Sequence, residues 1–147
     1  MKIFFASDHA GFDMKNALIK YVKEFSYEVE DCGAYEFNPE DDYPEFIKKA
    51  AQAVSGATDG SMAIVLGSSG QGEAMVANRF PNVRVAEYYG GNLEIIKLSR
   101  EHNDANVLSL GARFLSMNEV KEAVKLWLET KFSGEERHKR RIEQIEN

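Results

Sequence analysis

Met62-Ala63-Ile64-Val65-Leu66 runs without a break into Gly67-Ser68-Ser69-Gly70-Gln71-Gly72-Glu73, and Glu73 to Phe80 then takes on helical spacing. A short apolar run bounded by glycine reads as a strand buried on both faces. Such a strand needs neighbours and a helical cover on each side, and the flanking sequence supplies both. Upstream, Ile3 to Ala6 is a brief apolar run, and Met14, Leu18, Tyr21, Val22 and Phe25 then recur at helical period. Tyr27 to Cys32 alternates like a strand with one exposed face, near a sheet edge. After the polar segment Asn38 to Pro44, residues Phe46, Ile47, Ala50, Ala51 and Val54 mark a second helix. Downstream, Val83–Ala86 and Val107–Leu110 read as strands and Leu93–Arg100 as a helix. Val120, Val124, Trp127 and Leu128 mark a further helix, and Glu135 to Ile145 a terminal one. This alternation predicts a single α/β domain over 1–147, doubly wound in the Rossmann or flavodoxin manner. Its sheet is parallel and five-stranded, with right-handed crossovers and an extended C-terminal helix.

Composition narrows the function classes. The chain has 147 residues, 44% of them hydrophobic and 29% charged, the balance of a soluble globular domain. No apolar run approaches the ~18–20 residues of a membrane span. The apolar part of Met1 to Asp8 is too short for a signal peptide. One cysteine, Cys32, excludes an internal disulfide and any multi-cysteine metal site, and suits a reducing cytoplasm. Against 18 basic residues stand 24 acidic ones, a net charge of −6 that argues against nucleic acid as a partner.

In doubly wound sheets ligands sit at the carboxyl ends of the strands, which directs attention to Asp8, His9 and the segment 67–73. That glycine-rich segment leaves backbone N–H groups free to meet an anion, or it is a tight turn that needs positive φ. It fits neither the dinucleotide fingerprint nor a P-loop. Glu73, in the first helical turn, either complements the helix dipole or is a general base over the loop amides. The helix end lowers its proton affinity, so a base here needs burial or bound substrate to compensate. Asp8-His9 reads as an N-cap followed by a loop histidine. His102-Asn103-Asp104 reads as a helix C-terminus with Asn103 as its cap. With His9 and His102 both assigned to the active edge, acid–base work enters as the alternative. Arg137 and Arg141, four apart on the last helix, are a solvated charged face or a phosphate clamp that Arg113 could join. Cys32 reads as structural, and Trp127 with the phenylalanines as core.

Taken together these stretches resemble the ribose-5-phosphate isomerase B family and its galactose-6-phosphate isomerase relatives. The matching pieces are Ser7-Asp8-His9-Ala10-Gly11, Asp42-Tyr43-Pro44, Gly70-Gln71-Gly72-Glu73 with Ala77-Asn78, Ser99 through Leu108, Gly111-Ala112-Arg113, and Arg137-His138 with Arg141. The resemblance implies metal-free and cofactor-free aldose–ketose isomerisation of a phosphorylated sugar through an enediolate. It implies that His102 with Asp8 assists ring opening, and that Ser68, Ser69, Gly70, Gln71, Gly72 and Asn103 hold the oxyanion. His9, Arg113, Arg137 and Arg141 would hold the phosphate, and Tyr43 would join the substrate-binding residues. Many members carry a cysteine base where this chain has Gly67. A second branch places a glutamate in the first helical turn, which Glu73 matches. Members form dimers, some tetramers, whose active sites borrow residues across the interface, so residues 134–147 would pack on a partner subunit.

Two rivals remain at this level, and a third is excluded. One is an isomerase of another sugar phosphate, such as galactose 6-phosphate or allose 6-phosphate. Another is a phosphate-binding flavodoxin-like module without turnover, which would keep its function in Glu73→Gln. A signalling receiver needs an acceptor aspartate at the end of the third strand, and Leu66-Gly67-Ser68-Ser69 offers none.

Overall fold

In the computed structural model, which covers residues 1–147, five parallel strands stand in the order β2-β1-β3-β5-β4. They are β1 (Lys2–Ser7), β2 (Glu28–Asp31), β3 (Met62–Gly67), β4 (Val85–Tyr88) and β5 (Val107–Gly111). The helices are α1 (Phe12–Lys23), α2 (Tyr43–Ser55), α3 (Gln71–Ala77), α4 (Glu94–Glu101), α5 (Met117–Glu129) and α6 (Glu136–Glu146). This is the doubly wound single-sheet architecture expected from the sequence. No helix is long and apolar enough to cross a membrane.

The strand order determines where the helices go. The steps β1 to β2 and β4 to β5 move one way along the sheet, and β2 to β3 and β3 to β4 the other. Right-handed crossovers therefore put α1 and α4 on one face and α2 and α3 on the opposite one. Side chains along β3 alternate to match. Met62, Ile64 and Leu66 pack with Leu18, Val22, Ile96, Val124 and Trp127 from α1, α4 and α5. Ala63 and Val65 pack with Ile47, Ala50, Val54 and Ala77 from α2 and α3. A strand that feeds both cores has no polar face to spare, which is why MAIVL is apolar throughout.

One consequence positions the site. The chain leaves β3 toward the α2/α3 face, while it leaves both neighbours, β1 and β5, toward the other. The loops diverge on either side of β3 and open a crevice there, at the topological switch point. Register keeps the strand ends level, with Ser7 opposite Leu66 and Gly67 opposite Gly111.

Several details depart from the expectations. The helix after β3 starts at Gln71, two residues before the expected Glu73, and ends at Ala77 rather than Phe80. The fourth strand spans Val85–Tyr88 instead of Val83–Ala86. Arg84 is taken up by Asn106, whose side-chain oxygen accepts the Arg84 N–H at 2.8 Å. In return the Arg84 carbonyl accepts from the Asn106 and Val107 amides at 3.0 and 3.2 Å. The phenylalanines are not uniformly core: Phe5 is fully buried, whereas Phe37 and Phe114 are 59% and 63% exposed. Phe25 lies beyond the end of α1 and is exposed too. Trp127 is fully buried, as expected. Cys32 is buried just past β2, and burial pushes its thiol up to about 11.

Candidate active site

At the carboxyl ends of the strands the turns are pressed together. Asp8 follows β1 directly, and its carboxylate accepts the Ala10 N–H at 3.0 Å, capping a single 3-10 turn over His9–Gly11. This is the N-cap the sequence suggested, and the residue is buried. The 67–72 loop is held from the β5 side. Ser109 Oγ donates to the Gly70 carbonyl at 2.6 Å, and the Arg113 N–H to the Ser68 carbonyl at 3.1 Å. Gly70 has φ +82°, where a side chain would be strained. Within this loop the N–H groups of Ser68, Ser69 and Gly70 donate to no group of the chain. The Gln71 N–H is used locally by Ser69 Oγ at 3.3 Å.

Glu73 closes this arrangement. Its residue is only 4% exposed, and a Cβ added to Gly67 would collide with its carboxylate. The carboxylate therefore occupies the space a side chain at position 67 would fill. Burial raises its proton affinity above the ordinary value of 4.5, and the negative charges of Asp8 and Glu87 push the same way. Its own backbone N–H opposes them but does not win. The dipole penalty anticipated from the sequence is thus outweighed by desolvation. Tyr43, first residue of α2, lies against Gly72 so closely that a Cβ there would come within 2.6 Å of Tyr43 Cζ. Arg113 is exposed in the turn after β5.

His9 has a partner the sequence did not single out. Asp41 Oδ1 accepts both the His9 N–H at 3.0 Å and the Nδ1 hydrogen bond at 2.7 Å. Ligand atoms of Asp8, His9 and Asp41 lie within 4.8 Å of one another, a set that a divalent ion could also use. Asp41 sits among the run Glu40-Asp41-Asp42, and nothing in that run distinguishes it from its neighbours.

His102, Asn103, Arg137 and Arg141 are elsewhere. His102 ends α4 and precedes β5, and the Asn106 carbonyl in the same connection accepts the Ala63 N–H at 3.0 Å. This segment therefore lies at the strands' amino ends, a strand length (about 13 Å) from Gly67. Placing His102 with His9 at one edge of the sheet is thereby corrected. The order helix, His102, strand carries that signal, because residues before a parallel strand lie at its amino end. The left-handed residue of the turn is Asp104 (φ +45°), not the expected cap Asn103. Helix α6 runs along this same edge. His138 stacks on His102 with centroids 4.3 Å apart and planes 18° off parallel. Glu146 accepts the Asn82 N–H at 3.0 Å and pairs with Arg84 at 3.6 Å. Arg137 and Arg141 are exposed on α6, with Arg137 against Glu135 at 3.0 Å. Arg113 does not join them within one chain.

The chain thus carries two groups of candidate site residues at opposite edges of one sheet. One holds a buried carboxylate of raised proton affinity beside free amides, which can accept a carbon-bound proton and stabilise the oxyanion left behind. The other holds a histidine pair and exposed guanidinium groups. A sequence profile described as ribose/galactose isomerase matches residues 3–145. The chain belongs to this family. Ribose-5-phosphate isomerase B of Mycobacterium tuberculosis is 37% identical over 143 residues, covering 97% of this chain and 86% of that protein. Ribose-5-phosphate isomerase B from Mycoplasma genitalium, solved with bound ribulose-5-phosphate, superposes with a TM-score of 0.93 at 34% identity, covering 99% of this chain and 93% of that one. The Clostridium thermocellum enzyme of the same name gives 0.90 at 39% identity, with 99% and 95% covered.

Proposed function

We propose that this family member is a ribose-5-phosphate isomerase that interconverts ribose 5-phosphate and ribulose 5-phosphate, with Glu73 as the proton-transfer base. The observation that carries this reading is the Glu73 carboxylate, buried on Gly67 and next to the unpartnered loop amides. After the ring opens, Glu73 takes the proton from C2 of the aldose. The electron pair forms the C1–C2 double bond, and the carbonyl oxygen on C1 becomes an enediolate oxygen held by the amides of residues 68–70. Proton return from Glu73 to C1, with transfer of the O2 proton to the enediolate oxygen on C1, gives the ketose. The carboxylate ends as it began, so no cofactor is consumed. Burial serves the reaction twice: it strengthens the base, and it makes the amide dipoles more effective than they are in water.

Ring opening falls to Asp8 and His102, and the phosphate to His9, Arg113, Arg137 and Arg141. One chain cannot bring these together across its own sheet. A two-fold dimer can, because pairing each carboxyl edge with the partner's amino edge makes two identical complete sites. In this reading residues 134–147 anchor to their own chain through His138 and present Arg137 and Arg141 to the neighbour. The single buried thiol suits a cytoplasmic enzyme. A coupled isomerase assay across pentose and hexose phosphates tests the reading. Turnover is expected to be highest on ribose 5-phosphate, and a clear preference for a hexose 6-phosphate overturns the substrate assignment.

A further inference from the structure

Asp41 belongs to the connection between β2 and α2, and its side chain is 7% exposed. A carboxylate is withdrawn from water at considerable cost unless something compensates. Here Oδ1 accepts two hydrogen bonds from His9, one from the backbone and one at Nδ1, while Oδ2 is buried with no partner. The carboxylate is thus committed to a single residue, and what it achieves is the placement of an imidazole. With the backbone N–H and Nδ1 bound to one oxygen, the ring can neither flip nor turn about its χ angles without losing a hydrogen bond. The edge of Phe37 closes another side, with ring centroids 6.4 Å apart at 84°. Nε2 is left as the ring atom able to meet a ligand.

From this geometry we infer that Asp41 is a positioning residue for the phosphate of the substrate, holding His9 so that Nε2 faces the phosphate oxygens. The inference rests on the sugar-phosphate reading above and adds to it a residue that touches no substrate. Such an outer partner determines which ring nitrogen carries which hydrogen bond, as the second contact of a metal-bound histidine does. With Asp41 at Nδ1 and a phosphate at Nε2, the ring in the complex bridges two anions and donates to both.

The test compares Asp41→Ala, which removes the acceptor, with Asp41→Asn, which keeps an acceptor oxygen but no charge. Asp41→Ala is expected to raise KM for ribose 5-phosphate and the inhibition constant of inorganic phosphate together, each about tenfold, with kcat within about threefold. Asp41→Asn is expected to show a smaller rise, roughly threefold, at an unchanged melting temperature, so it reads binding even if the alanine variant folds poorly. In nitrogen-resolved NMR the hydrogen-bonded Nδ1–H of His9 should be present in the parent and lost in Asp41→Ala. Unchanged KM and phosphate inhibition in both variants would overturn the assignment, as would a fall in kcat alone. Phosphate binding needs no turnover, so the two readings separate. If the parent isomerises nothing while Asp41→Ala still weakens phosphate, the isomerase reading fails and the role of Asp41 stands. If the parent isomerises and neither constant moves, the reverse holds.

Discussion

The two edges of this sheet treat their ionisable groups in opposite ways. At the carboxyl edge, backbone is packed against side chain and the acids Asp8 and Glu73 are buried among turns that glycine allows to touch. At the amino edge, Asn103 stands in solvent in the turn after α4, and Arg137 and Arg141 on a helix that borders the domain. Burial acts with opposite sign at the two ends. It raises the proton affinity of Glu73 and, first among several causes, lowers that of His138, where the neighbouring His102 and Arg137 add to the effect. In the proposed reaction, the base that takes a proton from carbon is thereby prepared inside one chain. The cations proposed to hold the phosphate, Arg137 and Arg141, are left exposed within one chain.

Removing the prepared group should cost the most. Glu73→Gln is expected to lower kcat on ribose 5-phosphate at least about 100-fold while sugar-phosphate binding persists, measured by the coupled assay and by calorimetry. Full activity in that variant would remove the distinction between the edges.

The division into two edges can be probed by mixing chains. Glu73→Gln and His102→Asn should each be nearly inactive alone. After unfolding together and refolding in equal amounts they should recover about a quarter of parental activity, because half the dimers are mixed and each of these has one intact site. No recovery would mean that each chain acts by itself.

At the amino edge, Arg137→Ala or Arg141→Ala should raise KM about tenfold, the scale of one charge-assisted hydrogen bond, with kcat little changed. A loss confined to kcat would place these arginines nearer the chemistry than the phosphate.

The smallest effect concerns stability. Glu73 binds its proton more tightly folded than unfolded, so between its ordinary value of 4.5 and its raised value the native state holds a proton that the unfolded chain has released. Stability from this group is then lost as pH rises through that window. Glu73→Gln should melt a few degrees higher than the parent at pH 7 and equally at pH 4. The acid limb of kcat/KM in the parent should fall above pH 4.5 for the same reason.

Much of the carboxyl edge was legible in the residues alone. An apolar run entering a glycine-rich turn, with a carboxylate early in the helix, places Glu73 and the loop amides at the carboxyl end of β3, and the alternation in Glu28–Asp31 matches an edge strand that pairs only with β1. The amino edge was read less well. The sequence reading assigns His102 to the active edge with His9, although His102 precedes a strand and His9 follows one. Val83 and Arg84 looked like strand because nothing local shows that the Asn106 side chain competes for the Arg84 amide. Asp41 could not be told from Glu40 and Asp42.

Hydrophobic period, glycine content and turn chemistry act between residues a few positions apart, so the sequence by itself determined the element types, the parallel sheet and the position of Glu73 in a helix's first turn. The strand order, the edge to which each loop falls, and the withdrawal of Glu73 and Asp41 from water were decided only by the tertiary structure. These depend on which distant segments exclude solvent from a given atom, and that exclusion is what raises the proton affinity of Glu73.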